Sequence, residues 1–148
     1  MRTRPEPLTP DDAGELLTLQ RAAYVSEAQL HGDPFLPALT QTLPDLRAEL
    51  AHPALGIRTD GRLVGSVRWR VVGTTAHIGR LVVAPDRQGR GLGTTLLRAA
   101  ESASGAAHFE LFTGHRSEAN IRLYLREGYA VSRRETLRPG VDLVYLTK

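Results

Sequence analysis

The sequence contains no cysteine. Without thiols the chain has no disulfide framework, no thiolate nucleophile and no thiolate metal site. Its five histidines, at positions 31, 52, 77, 108 and 115, show neither H-x-x-x-H nor H-E-x-x-H spacing. We therefore predict no metal site.

Long apolar runs and aromatic residues are also scarce. No run of 18 apolar residues occurs, and Met1–Pro5 lacks the apolar segment of a secretory signal. We therefore expect no membrane partner and a cytoplasmic location. The aromatic residues are four Tyr, three Phe and one Trp, and the arginines are scattered along the chain. Both features argue against a nucleic-acid partner, which would need stacking platforms and a basic patch.

Lysine occurs once, as Lys148, so eighteen of the nineteen basic residues are arginine and the net charge is +3. A P-loop requires a lysine beside its glycines, so that kind of phosphate site is excluded. The arginine excess has two readings. It reflects genomic codon bias, or some of the guanidinium groups meet a polyanionic cofactor, whose phosphates they match with paired donors.

The length of 148 residues, with 41% hydrophobic and 24% charged residues, predicts one domain over residues 1–148. Hydrophobic periodicity and turn residues predict a mixed α/β fold in the order β-α-α-β-β-β-α-β-α-β-β. An antiparallel meander comes first and a βαβ crossover follows. The predicted elements are a short strand in Arg2–Leu8, a helix capped by Thr9, a short helix over Asp45–Leu50, a hairpin of Leu55–Thr59 and Leu63–Val72 around Asp60-Gly61, a strand over His77–Val83, a helix over Thr94–Ser102, a strand over His108–Thr113, a helix over Glu118–Arg126 that Gly128 ends, and strands over Tyr129–Leu137 and Val141–Leu146.

The most informative segment is the glycine-rich turn Gln88–Gly93, which joins a predicted strand to a predicted helix. The first N–H groups of a helix lack intrahelical acceptors and carry partial positive charge, so this turn is typical of an anion site. Glycine also lets a phosphate approach the backbone closely. A dinucleotide fingerprint that starts at Gly89 would need a third glycine where Thr94 stands.

A second pattern, N-x-x-x-Y-x-x-x-G-Y, runs from Asn120 through Tyr124 to Tyr129. Asn120 and Tyr124 are four residues apart and share one helix face. On its own, this pattern also fits a core aromatic residue and a local cap.

Together, the Q-x-x-G-x-G of Gln88, Gly91 and Gly93 and the Asn120 to Tyr129 pattern resemble the GCN5-related N-acetyltransferase superfamily, and the predicted element order fits it across essentially the whole chain. The resemblance implies a central, mostly antiparallel sheet of about six to seven strands flanked by four helices. It also implies acetyl-CoA as cofactor and transfer of the acetyl group to a primary amine in a ternary complex.

The same resemblance assigns roles to individual residues. Those expected to bind the cofactor are Leu81, Val82 and Val83, which would pair with pantetheine, Gln88, Gly89, Arg90, Gly91, Leu92, Gly93 and Thr94 around the pyrophosphate, Arg87 beside it, and Asn120. Tyr124 is the expected general acid, and His77 is the candidate base. Glu27, His31 and Trp69 are candidates for the acceptor pocket. For His77 and Trp69, a strand-edge histidine and a core aromatic residue are the alternatives, and Arg87 and Arg90 are alternatively surface arginines.

The sequence leaves two rival functions open, a non-catalytic acyl-CoA sensor of the same fold and a nucleotide-binding α/β module. The acceptor is a small-molecule or protein amine that no motif identifies. Edge strands of such folds often pair between protomers, so a homodimer is a further expectation.

Overall fold

The computed structural model describes residues 4–148. Seven strands in this part of the chain form one sheet in the order β1-β2-β3-β4-β5-β7-β6. Every neighbouring pair is antiparallel except β4 and β5, which are parallel. The mixed, mostly antiparallel sheet is thus confirmed. The strands are β1 (Glu6–Pro7), β2 (Ala54–Thr59), β3 (Arg62–Val72), β4 (Thr75–Val83), β5 (His108–Gly114), β6 (Ala130–Arg138) and β7 (Val141–Thr147).

Five helices accompany the sheet where the sequence predicts four. They are α1 (Ala13–His31), α2 (Pro37–Thr40), α3 (Leu43–Glu49), α4 (Leu92–Ser104) and α5 (Glu118–Arg126). The additional helix is α2, a single turn in the segment that the prolines predict to be a loop. Pro37 stands at its first turn, and the amide of Gln20 donates to the Ala38 carbonyl at 2.9 Å. None of the helices in residues 4–148 combines the length and apolarity needed to cross a bilayer.

The predicted element boundaries agree with the structure to within two residues for most elements. Thr9 caps the 3-10 turn Pro10–Asp12 that leads into α1, and its hydroxyl accepts a hydrogen bond from the Asp11 N–H. The Asp60-Gly61 turn has both residues at positive φ, 52° and 79°, as the tightest hairpin turn requires. The strand predicted in Arg2–Leu8 contracts to β1, and residues 2 and 3 lie outside the described residues.

The two faces of the sheet are covered by different helices. Leu96 of α4 is fully buried and faces Gly65 of β3, where an added Cβ would lie 2.8 Å from Leu96 Cδ1. Arg68, three residues further along β3, instead donates to Gln20 of α1 at 3.1 Å. Successive strand residues point to opposite faces, so α1 and α4 lie on opposite sides of the sheet.

The only lysine side chain is held at the end of β7. Lys148 Nζ lies 3.1 and 3.3 Å from the two carboxylate oxygens of Glu101 in α4. The same carboxylate accepts a 2.6 Å hydrogen bond from the Tyr129 hydroxyl. This contact ties the last strand to the helix that follows the glycine turn.

The parallel pair β4 and β5 separates after three paired residues, Thr75 to His77 opposite His108 to Glu110. On its other edge β4 carries a bulge, because Ser66 pairs with Val82 while Arg68 pairs with Gly79. Two residues of β4, Arg80 and Leu81, therefore stand opposite one residue of β3. Helix α4 connects the two parallel strands, which confirms the predicted βαβ crossover.

Candidate active site

A cavity of about 730 Å³ opens where β4 and β5 separate. Its walls come from α1, α2 and the residue before it, β4, the glycine turn, α4, β5, α5, the end of β6 and the start of β7. Most of the site residues predicted from the sequence line it: Glu27, His31, Leu81, Val82, Val83, Arg87, Gln88, Gly89, Gly91, Leu92, Gly93, Thr94, Asn120 and Tyr124.

The glycine turn presents helix N–H groups to this cavity. Gly89 and Gly91 have φ of 77° and 79°, and a Cβ on either would meet only open space. The Thr95 N–H donates to the Gly91 carbonyl at 3.1 Å and is the first intrahelical donor, so the N–H groups of residues 92–94 have no intrahelical acceptor. No side chain caps this end of α4. The arrangement is therefore able to hold an anion.

The two arginines of the turn differ in position. Arg87 lines the cavity, and its guanidinium contacts the Asp86 carboxylate at 3.2 Å, which offsets part of its charge. Its Nε is buried without a hydrogen-bond partner in the described chain. Arg90 is exposed and is not among the residues that line the cavity.

The edge of β4 that faces β5 has no strand partner beyond His77 in the part of the chain that the structure describes. Leu81, Val82 and Val83 lie on this open edge and line the cavity. Backbone N–H and C=O groups need partners when they are removed from water. An extended polar ligand between β4 and β5 would supply these hydrogen-bond partners, as an added strand does.

Tyr124 lies inside the cavity wall with 5% of its surface exposed. Burial raises the pKa of its phenol above the ordinary value of 10.0, with smaller contributions from Tyr24 and Glu27. The phenol is therefore protonated at neutral pH and is available as a proton or hydrogen-bond donor. One helical turn earlier, Asn120 Nδ2 donates to Thr113 Oγ1 of β5 at 3.3 Å. This bond holds the Asn120 amide against β5, and both residues line the cavity.

Glu27 and His31 lie at the carboxyl-terminal end of α1 and have different surroundings. The Ser117 hydroxyl donates to the Glu27 carboxylate, which also lines the cavity. His31 Nδ1 lies 2.9 Å from the Glu27 carbonyl oxygen, and the Arg116 N–H donates to its Nε2 at 3.2 Å. With Nε2 accepting this bond, Nδ1 is placed to donate to the Glu27 carbonyl. With its side chain 1% exposed, His31 joins α1 to the loop after β5.

An ion pair joins distant parts of the chain next to Leu36 and Leu137, which line the cavity. Arg138 Nε lies 3.1 Å from the Asp33 carboxylate, and its Nη2 donates to the Phe35 carbonyl at 3.2 Å. The segment after α1 is thereby attached to the end of β6.

The cavity also contains residues that were not predicted from the sequence, among them Tyr24 and Arg80. Tyr24, Glu27 and His31 follow at i, i+3 and i+7 on α1, so helical spacing from Glu27 was a usable signal for Tyr24. Burial raises the pKa of Tyr24, while the positive charge of Arg80 opposes this shift. Arg80 sits in the β4 bulge at φ 51°, and its guanidinium carbon lies 6.0 Å from the centre of the Tyr24 ring. No local sequence signal marks this bulge.

His77 and Trp69 do not line the cavity. Both lie around a separate depression of about 210 Å³ beside β3 and β4. His77 is exposed, with Nδ1 3.6 Å from the Glu110 carboxylate, and Trp69 is a core residue with 7% exposure. The candidate base His77 therefore lies outside the cavity that Tyr124 lines. At His77 β4 is still paired with β5, and the cavity opens only beyond this residue.

The sequence profile described as "Acetyltransferase (GNAT) family" matches residues 16–129 of the chain. A curated relative, the UPF0157 protein YqkA of Bacillus subtilis (strain 168), is 29% identical over 133 residues. The aligned region is 89% of this chain but only 38% of YqkA, so the chain spans well under half of that relative's length.

Solved structures share the fold at low sequence identity. The ribosomal-protein-S18-alanine N-acetyltransferase of Escherichia coli superposes with a TM-score of 0.79 at 18% identity, covering 97% of this chain and 91% of that one. YncA, a putative acetyltransferase from Salmonella typhimurium solved with its cofactor acetyl-CoA, gives a TM-score of 0.75 at 17% identity, covering 98% and 92% of the two chains.

The packing of His31 yields a stability prediction. A Cβ added to Gly114 would overlap the His31 ring, so we expect Gly114→Ala to lower the free energy of unfolding by about 1–3 kcal/mol. Gly14→Ala is the control, because that position in α1 has open space around it and alanine favours helix. Urea denaturation measures both variants. A Gly114→Ala protein as stable as wild type would contradict the described packing of His31.

Proposed function

The chain belongs to the acetyltransferase (GNAT) family, and from this membership we propose that it transfers an acetyl group from acetyl-CoA to a primary amine within a ternary complex. We propose that residues 1–148 act as one N-acetyltransferase domain. The acceptor is the amine of a small molecule or of a protein. The observation that carries the proposal is that the free N–H groups of α4, the open edge of β4 and Tyr124 all border one cavity.

The glycine turn and the start of α4 fit the diphosphate of coenzyme A. Residues 88–94 combine an uncapped helix start with two glycines whose Cβ positions are empty, so a phosphate group has both donors and space. Arg87 adds positive charge on the same side. Asn120 and the unpaired edge of Leu81, Val82 and Val83 fit the amide groups of the pantetheine arm.

Acetyl-CoA, when bound, supplies the acetyl group as a thioester. A backbone N–H on the open edge of β4 is suited to hold the carbonyl oxygen as it gains negative charge, and one such donor contributes about 3 kcal/mol to catalysis. Glu27 is the carboxylate among the described residues that line the cavity, and its charge contributes to the raised pKa of Tyr24 and of Tyr124. It is placed to bind the acceptor's ammonium group and to take its proton, directly or through water.

Tyr124 is suited to donate to the departing sulfur. An ordinary phenol is a weaker acid than a thiol by about 1.5 pKa units, or roughly 2 kcal/mol. Burial raises the pKa of Tyr124 further, so complete proton transfer before cleavage is unfavourable. The phenol therefore acts while the C–S bond breaks.

Ligand-induced stabilisation tests the cofactor site. Acetyl-CoA and CoA should raise the melting temperature of the wild-type protein, while NAD and ATP should not. Gly91→Val should abolish the effect of CoA, because it puts a branched side chain where a phosphate would lie.

The matched control is Gly105→Val at the other end of α4. Gly105 has φ 64° and open space at its Cβ, so valine brings similar backbone strain without approaching the turn. Both variants should lose stability without ligand, and only Gly105→Val should keep the CoA response. If Gly91→Val bound CoA with unchanged affinity, the proposal that the cofactor binds at this turn would be wrong.

Release of free CoA thiol on addition of amines tests the reaction and the role of Glu27. With an amine that the wild type accepts, Glu27→Gln should lower kcat/KM by about 10²–10⁴-fold, because the amide cannot take a proton. CoA should still stabilise the variant. Glu118→Gln, at an exposed position of α5 (84% exposed side chain), is the control and should retain full activity. CoA binding without thiol release from any amine would favour the acyl-CoA sensor over the enzyme.

The raised pKa of Tyr124 gives a prediction for the pH profile. Its acidic form should persist through neutral and moderately alkaline pH, so kcat should show no loss from deprotonation of this phenol up to about pH 10. Tyr124→Phe should lower kcat by about 10²-fold at all pH values in this range. Tyr129→Phe is the control, since Tyr129 lies beside Tyr124 but bonds to Glu101. An alkaline limb below pH 10 that disappears in Tyr124→Phe would contradict this assignment.

A further inference from the structure

We propose that the amine acceptor carries a carboxylate or phosphate group, which Arg80 binds while the amine lies at Glu27. The inference rests on the proposed function and names the chemical class of its acceptor.

The first observation is the backbone of Arg80. It is a non-glycine residue at φ 51° within the β4 bulge. This left-handed conformation is unfavourable for an L-residue, and bulges change the direction of a side chain relative to the strand. The bulge makes Arg80 a shared wall of the main cavity and of the neighbouring 210 Å³ depression.

The second observation is the lack of a counter-ion. Within residues 4–148, Arg80 forms no ion pair, and its Nε is buried without a hydrogen-bond partner. A partly buried guanidinium with an unused donor is costly unless a ligand satisfies it. An anionic oxygen is the strongest partner for such a donor, because both charge and hydrogen bonding contribute.

The surroundings of Arg80 strengthen the preference for an anion. Arg68 and Arg70 lie around the same depression, together with His52 and His77. Its carboxylate, Glu49, already pairs with Arg68 at 3.0 Å. Burial, with a smaller contribution from the charge of Arg80, lowers the pKa of Arg68 to about 10. Positive charge is therefore in excess at this end of the cavity.

The phosphates of the cofactor are a poor match for Arg80. Its guanidinium lies beside Tyr24 of α1, whereas α4 and its free N–H groups belong to the opposite face of the sheet. Glu27 stands one helical turn beyond Tyr24 and influences the same phenol. An acceptor in contact with both residues presents its ammonium to Glu27 and its anion to Arg80.

The experiment compares matched amines by thiol release. The pairs are glycine with methylamine, β-alanine with ethylamine, 4-aminobutyrate with propylamine, phenylalanine with phenethylamine, and O-phosphoethanolamine with ethanolamine. The wild type should prefer the anionic member of at least one pair by tenfold or more in kcat/KM. Carboxylate and phosphate pairs distinguish the two anion types, and the amino-acid series reports the spacing.

Arg80→Asn removes the charge with a residue that tolerates positive φ, and it should abolish the preference without affecting stabilisation by CoA. Arg80→Lys should restore part of it. Arg47→Gln is the control, because it removes one exposed positive charge of α3 and should leave the preference intact. As a readout without turnover, the preferred amine should raise the melting temperature of the CoA-saturated wild type but not of Arg80→Asn.

The outcomes separate the inference from the proposed function. The inference is overturned, and the proposed function stands, if the amines without an anionic group are acetylated as well as or better than their anionic partners. The same holds if the preference for the anionic amine survives in Arg80→Asn. Arg80-dependent binding of the anionic amines without thiol release contradicts the function but supports the anion site. If the protein shows neither acetyl transfer nor Arg80-dependent binding of the anionic amines, both the inference and the proposed function are overturned.

Discussion

The early separation of β4 from β5 is the constraint on which the rest of the structure depends. The two strands pair over three residues and then follow different neighbours, β3 on one side and β7 on the other. A sheet that opens in this way leaves backbone groups without strand partners, which is unfavourable unless water or a ligand satisfies them. In exchange, the fold gains a cavity that passes between its two helical layers. The end of α1, where we propose the acceptor binds, and the start of α4, where we propose the diphosphate binds, thereby border one space.

The packing around this opening keeps its walls in place. Leu96 and Leu97 of α4 are fully buried and fix the helix whose first turn we propose as the anion site. On the other side, His31 joins α1 to the loop after β5 through two ring nitrogens with opposite hydrogen-bonding roles. Leu96 and Leu97 do not line the cavity, whereas His31 forms part of its wall. The walls are therefore positioned by core packing, and the cavity surface is free to carry unpaired donors and charges.

Features that depend on neighbouring residues in the sequence were predictable, and features that depend on pairing between distant segments were not. The conformations of the Asp60-Gly61 turn and of the glycine turn are predictable from the local sequence, because both turns contain residues that tolerate positive φ. The bulge at Arg80 arises from register between β3 and β4, to which no local pattern points. The family resemblance places His77 near the site, but it does not show that β4 is still paired with β5 at this residue.

The lysine contact described at the end of β7 has a consequence for the acyl transfer that we propose. A thioester that acylates amines also modifies exposed lysines of proteins around it. Eighteen of the nineteen basic residues here are arginines, whose guanidinium groups stay protonated and are not nucleophilic. The remaining side-chain amine, Lys148, is engaged by Glu101. The surface of this acetyltransferase family member thus carries its positive charge almost entirely in groups that are inert to autoacetylation.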